Sequence, residues 1–139
     1  SYERAVKRCK MAMLTEMVTG GKISESAYLC LKLAWIYRGE IQEAKANGAA
    51  QERISMYEKY EKEYLEDAYR GFKQARETEY PPIAGMDENT ITYLLTSIGI
   101  HCGKIDEARR YGSALLISRT ASMKLKNKTR DVLETIKKN

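Results

Sequence analysis

Residues 95–112 read Leu-Thr-Ser-Ile-Gly-Ile-His-Cys-Gly-Lys-Ile-Asp-Glu-Ala-Arg-Arg-Tyr-Gly. An apolar helical pattern runs to His101, Gly103 makes a tight reversal, and a second helical pattern opens at Ile105. Glycine suits that reversal because it enters the left-handed conformation that ends helices at little cost. Asp87 is a side-chain cap for the first of these helices, which is predicted to run to about His101. The second is predicted over about 105–118. The unit is a pair of helices joined by a short turn.

Working outward, the same reading recurs. Downstream, Leu125, Thr129, Val132 and Ile136 share one side of a helix over about 122–137. Upstream, a stripe of Ile54, Tyr57, Tyr60 (or Glu61), Tyr64, Leu65, Ala68, Phe72 and Ala75 predicts a long amphipathic helix over 51–78, broken by Tyr80-Pro81-Pro82. Residues 27–37 are apolar nearly all round, with Lys32 the only charge, and predict a central helix capped by Ser24 and ended by Gly39. Residues 40–53, with Asn47-Gly48, read either as a loop or as a frayed helical extension. Tyr2, Ala5, Val6, Cys9, Ala12, Met13 and Met17 share a face of a first helix over 2–19, stopped by Gly20-Gly21. No alternating run bounded by turn residues marks a strand. The fold class is all-α, with about six helices.

Composition agrees with one helical domain and excludes several functions. The chain has 139 residues and only two prolines, which are adjacent. No apolar run is long enough to span a bilayer. Cys9, Cys30 and Cys102 are dispersed within apolar helical patterns, as buried thiols of a reducing compartment would be. The net charge of +5 belongs to the C-terminal end. Between Ala108 and Arg130 there are seven Lys or Arg and no acid. The start at Ser1, directly inside a helical pattern, reads as a piece of a longer protein.

The helices carry a repeat. Gly103-Lys104-Ile105-Asp106-Glu107-Ala108, preceded by Leu95-Thr96, and Leu33-Ala34 with Tyr37 place small residues where paired helices must approach closely. Ala68, Phe72 and Ala75, with Pro81 beyond, have the spacing of a matching second helix. Tyr2-Glu3-Arg4-Ala5, Cys9 and Ala12-Met13 fit another second helix whose partner is missing. These segments resemble tetratricopeptide repeats, stacks of antiparallel helix pairs. Gly112 and Gly99 replace the usual aromatic and Tyr, so the unit around Gly103 is degenerate. The resemblance implies a half unit over 1–21, a unit over 24–82 split by an insert at about 40–53, a unit over 87–119, and a capping helix over 122–137.

A narrower resemblance rests on three segments: Tyr28-Leu-Cys-Leu-Lys-Leu-Ala-Trp-Ile-Tyr-Arg38, Glu79-Tyr-Pro-Pro-Ile-Ala-Gly-Met-Asp87, and Thr129-Arg-Asp131. They are similar to a bacterial family, domain of unknown function 2225. The resemblance implies a zinc-ribbon-like segment with paired cysteines ahead of tetratricopeptide-like helices, and a bacterial cytoplasmic protein. This chain has no Cys-x-x-Cys, so no metal ligand is carried over. The family supplies no activity.

Catalytic signatures are missing. His101 is the only histidine, and there is no Gly-rich phosphate loop, G-x-S-x-G or His-x-x-x-His. Glu61, Glu63, Glu66 and Asp67 form a solvated face with Lys59 and Lys62 as helical neighbours. No catalytic residue, metal ligand or cofactor is therefore expected. The tetratricopeptide resemblance implies a protein or peptide partner in a groove lined by the outward positions of each unit's first helix. Those are Tyr28, Leu31, Trp35 and Arg38, then Thr90, Tyr93, Ser97 and His101; for Tyr28 and Trp35, plain core is an equal alternative. The carboxylate clamp of some such domains is absent, since Trp35 and Ser97 stand where Asn is needed. The rival reading is phosphate binding by a basic patch of Arg119, Lys124, Lys128 and Arg130, weakened because Tyr111 is the only aromatic there. The broad apolar face of the helix over 2–19 is expected to self-associate or to dock on an upstream segment, with folding back onto the helix over 27–37 as the competing possibility.

Overall fold

The structure, a computed structural model, describes residues 22–137. Among these there are five helices and no strand: α1 (Ile23–Ala46), α2 (Gln51–Thr78), α3 (Glu88–His101), α4 (Ile105–Leu116) and α5 (Met123–Lys137). The expected first helix and its self-association face lie outside the described residues. The chain divides into two compact units, Ser1–Gly71 and Phe72–Asn139.

In the first unit α1 runs through Gly39, where the sequence pattern predicted a stop. Tyr37, Ile41 and Ala44 continue the apolar stripe by one turn at a time, and Ile41 and Ala44 are buried with Ile54 of α2. That burial outweighs the roughly 0.5–1 kcal/mol that a mid-helix glycine costs. The stop lies at Gly48, whose φ of 68° is left-handed. There the Ala49 N–H donates to Ala44 O at 2.9 Å and the Gly48 N–H to Lys45 O at 3.3 Å. These two bonds satisfy carbonyls that a helix end otherwise leaves bare. The insert at 40–53 is thus mostly helix. Ser24 is not the cap either. Lys22 occupies that position without a side-chain bond, and Ser24 is buried as the second residue of the helix.

Gly39 has open space around its Cα and an ordinary helical φ, so a methyl group there meets nothing within 4 Å. Gly39→Ala is expected to raise stability by about 0.5–1 kcal/mol, through the cost of freezing glycine alone. A shift in chemical-denaturation midpoint would report it, and a loss of stability would contradict the continuous helix.

α1 and the first part of α2 form an antiparallel pair whose contacts step down both helices. Ala44 meets Ile54 near the turn, Tyr37 packs on Tyr57, Tyr60 and Tyr64, and Ala27 lies against Gly71 at the far end. The Tyr37 ring centroid is 5.9, 5.4 and 5.9 Å from those of Tyr57, Tyr60 and Tyr64, and it stacks on Tyr64 with 9° between planes. Such aromatic pairs contribute about 0.5–1.5 kcal/mol beyond their buried area.

In the second unit α3, α4 and α5 each pack against the other two. Ahead of them, Ala84 (φ 52°) and Gly85 (φ 78°) form a two-residue turn closed by reciprocal bonds between Ile83 and Met86. Asp87 then caps α3 as expected, its Oδ1 accepting from the Thr90 N–H at 2.7 Å. Gly103, at φ 75°, ends α3 with the same pair of bonds as Gly48: Lys104 N–H to Gly99 O and Gly103 N–H to Ile100 O. Ser122 caps α5 by accepting from the Leu125 N–H. The buried hydroxyls of Thr92, Thr96 and Thr129 donate to the carbonyl four residues back, which satisfies them without a partner helix.

The last turns of α2 are tied to α3 and α4. Lys73 pairs with Glu107, which holds the lysine's pKa above its ordinary value chiefly through their hydrogen bond. The Arg76 guanidinium lies 5.3 Å from the Tyr111 ring centroid, and its Nη2 is 3.8 Å from Glu88 Oε1.

Candidate functional site

The exposed face of α1 is aromatic and cationic. Trp35 is 47% exposed, so it is a surface residue and the core alternative falls for it. Tyr28 and Arg38 are half-buried. Leu31, expected to face outward with them, is only 2% exposed and packs inside. Its place in the outward strip is taken by Lys32, one turn from Tyr28, whose ammonium sits 4.6 Å from the Tyr28 ring centroid. Positions 28, 32 and 35 follow one another at spacings of four and three, as 28, 31 and 35 do at three and four, so burial of the apolar Leu31 and exposure of the charged Lys32 decide between them. Arg38 does not stand alone: its Nε is 3.2 Å from Glu61 Oε2 on α2.

The four positions expected on α3 are spread in character. Thr90 receives the capping interaction of Asp87, and its backbone and hydroxyl bonds hold that carboxyl below the usual carboxylate range. Tyr93 is half-buried, and burial together with the nearby Asp131 carboxylate raises its phenol pKa. Ser97 is half-buried and His101 exposed.

At the basic end, Arg119, Lys124, Lys128 and Arg130 are all exposed. Lys124 and Lys128 lie one turn apart on α5, whereas Arg119 belongs to the segment 117–122 between α4 and α5. That segment is fastened to α3 by Asn89, which donates to Thr120 Oγ1 at 2.9 Å and accepts from Ser118 Oγ. Arg130 donates to Asn127 Oδ1 at 2.9 Å and lines a cleft of about 440 Å³ between α4 and α5. The other walls are Arg109, Ser113, Leu116, Leu133 and Glu134. Sequence reading passed over this cleft. A signal exists nonetheless: Arg109, Ser113 and Leu116 share one helical stripe, and so do Arg130, Leu133 and Glu134.

Cys30 is buried, and burial pushes its thiol up to about 11, with Asp67 adding to the rise and Arg70 opposing it. Neither Cys30 nor Cys102 is in a disulfide, and no cluster of His, Cys, Asp and Glu suited to a metal occurs among the described residues. Between the ordinary thiol value near 9 and 11, the unfolded chain loses this proton while the folded chain keeps it. The contribution to stability is therefore complete below about pH 9 and is lost as pH rises toward 11. Cys30→Ala is expected to flatten that alkaline slope by up to about 2–3 kcal/mol. Parallel slopes for the two proteins in urea titrations from pH 8 to 11 would rule out a buried thiol as their source.

No helix among the described residues is long and apolar enough to cross a membrane. No curated protein and no solved structure matches the chain. A family model does match, over residues 1–136, nearly the whole sequence. The chain belongs to the family of uncharacterised proteins conserved in bacteria that is described as domain of unknown function 2225.

Proposed function

We propose that this chain is a non-enzymatic protein-interaction module built from tetratricopeptide-like helix pairs, with the exposed face of α1 as a contact surface. The observation that carries the reading is Trp35, 47% exposed on a helix that otherwise buries Leu31, Leu33, Ala34 and Tyr37 to 5% exposure or less. Trp, Tyr and Arg are the residue types that most often dominate binding energy at protein interfaces, and Trp35 has Tyr28 and Arg38 on its own helix. The repeat reading is supported by burial: Leu33, Ala34, Ala68, Phe72, Ala75, Leu95, Thr96 and Ala108 are each at most 1% exposed. These are the positions where a helix-pair repeat needs close approach. A cytoplasmic location accords with the thiol usage.

The test is capture of partners from lysate of a bacterium carrying the family, using the chain and its Trp35→Ala variant, each with and without nuclease. Nuclease-resistant proteins whose recovery falls about tenfold with Trp35→Ala are expected, as for a residue worth at least 1.4 kcal/mol of binding. Recovery indifferent to Trp35→Ala would remove α1 as the contact surface. Recovery abolished by nuclease would favour phosphate binding through Arg119, Lys124, Lys128 and Arg130 instead.

A further inference from the structure

We propose that the cleft between α4 and α5 is a second binding site, specific for a carboxylate flanked by apolar side chains on a polypeptide. Its volume of about 440 Å³ falls within the range of ligand pockets, roughly 300–1,000 Å³. Two arginines, Arg109 and Arg130, line it together with the apolar Leu116 and Leu133 and with Ser113. Arg109 makes no ion pair or hydrogen bond among the described residues, so its five donors remain available. Arg130 commits one nitrogen to Asn127. Guanidinium donors match a carboxylate in a two-pronged geometry and bind it more strongly than neutral donors do.

Charge and surface together select the ligand. Glu134 also lines the cleft, leaving two cations against one anion. A nucleic-acid backbone, with its row of phosphates, would leave Leu116 and Leu133 uncovered. A single carboxylate beside leucine-like side chains meets the arginines and covers both leucines. Carboxylates of other ligands share the anionic chemistry, and the apolar walls are what favour a polypeptide. The site involves no residue of α1, so it stands or falls separately from the Trp35 surface.

The experiment is an amide and arginine Nε–H NMR titration with acetyl-Leu-Glu-Leu-amide. Saturable shifts are expected at Ser113 and at the Nε–H groups of Arg109 and Arg130. Arg109→Gln and Arg130→Gln should each weaken binding about tenfold or more, in keeping with loss of a charge-assisted pair. Arg119→Gln, an equal loss of charge outside the cleft, should change it by less than about twofold, as expected of a screened distant charge. Acetyl-Leu-Gln-Leu-amide and acetyl-Gly-Glu-Gly-amide should bind at least about tenfold more weakly, the first lacking the charge and the second the apolar flanks. Absence of saturable shifts overturns the proposal, as does equal sensitivity to Arg119→Gln or equal binding of either control peptide. Tighter binding of oligothymidylate at the same signals would make the cleft a phosphate site and overturn it too. Trp35→Ala should leave the titration unchanged, which separates a failure here from a failure of the α1 surface.

Discussion

Replacing Phe72 by alanine is expected to cost about 3–5 kcal/mol of stability, the range for emptying an aromatic from a packed core. Phe72 is the largest of the fully buried side chains and has no measurable exposure. It lies in the C-terminal third of α2, and Ala68 and Ala75, one turn to either side, are equally buried. Small neighbours leave little side-chain volume that can collapse into the vacated space, so the cavity term adds to the lost transfer energy. Since whole domains are stable by only about 5–15 kcal/mol, the variant should be near its folding limit. Phe72→Leu retains most of the volume and should lose about 1.5 kcal/mol or less. Urea unfolding followed by helical circular dichroism measures both, and a Phe72→Ala loss below about 1 kcal/mol would contradict the burial.

The second large effect is expected at Gly71. A Cβ there would come within 2.7 Å of the Ala27 Cβ and 3.4 Å of the Ala27 Cα. Carbon atoms pack best at about 3.5–4.0 Å, so α1 and α2 would have to part or bend. Alanine at 71 gains about 0.5–1 kcal/mol of helix propensity but loses more to overpacking. Gly71→Ala should destabilise by about 1 kcal/mol, and Gly71→Val by about 3 kcal/mol or more. Ala27→Gly in the Gly71→Ala background should restore most of the loss, and the coupling in that double-mutant cycle is the decisive quantity. Gly112 supplies the contrast. A Cβ there meets only the ends of the Leu133 side chain, at 2.9 Å or more, and that leucine can turn aside. Gly112→Ala should therefore be within about 1 kcal/mol of neutral. Additive effects at 27 and 71 would show that the two helices do not touch there.

Much of the helical framework was legible because its signals are local. Asp87 three residues before Thr90, Gly103 after His101 and the break at Tyr80-Pro81-Pro82 each act within one turn of their own position. Gly39 misled for a reason that can be stated. A glycine ends a helix only where the stripe beyond it stops, and here Ile41 and Ala44 carry the stripe on to Gly48. Trp35 was readable equally as an outward or a core position, and Leu31 was not separable from it, because a helix apolar nearly all round gives no phase. Which leucine faces inward depends on the neighbour it meets. The α4–α5 cleft was half legible. The cationic interval from Arg109 to Arg130 stands out in the sequence, yet which arginines converge on a hollow depends on how two helices cross. Likewise nothing near Gly71 announces Ala27 as the residue it accommodates.

The short turns of the C-terminal unit bear on how the chain reaches this state. α3, α4 and α5 are joined by residues 102–104 and 117–122, and all three pack on one another, so their contacts close over short spans of chain. Little loop entropy is lost before those contacts form, and topologies rich in local contacts fold fast. The pairing of Ala27 with Gly71 instead requires most of α1 and α2 to be in place. The transition state for folding is accordingly expected to be weighted toward α3–α5, so that Gly71→Ala should chiefly speed unfolding and leave the refolding rate nearly unchanged.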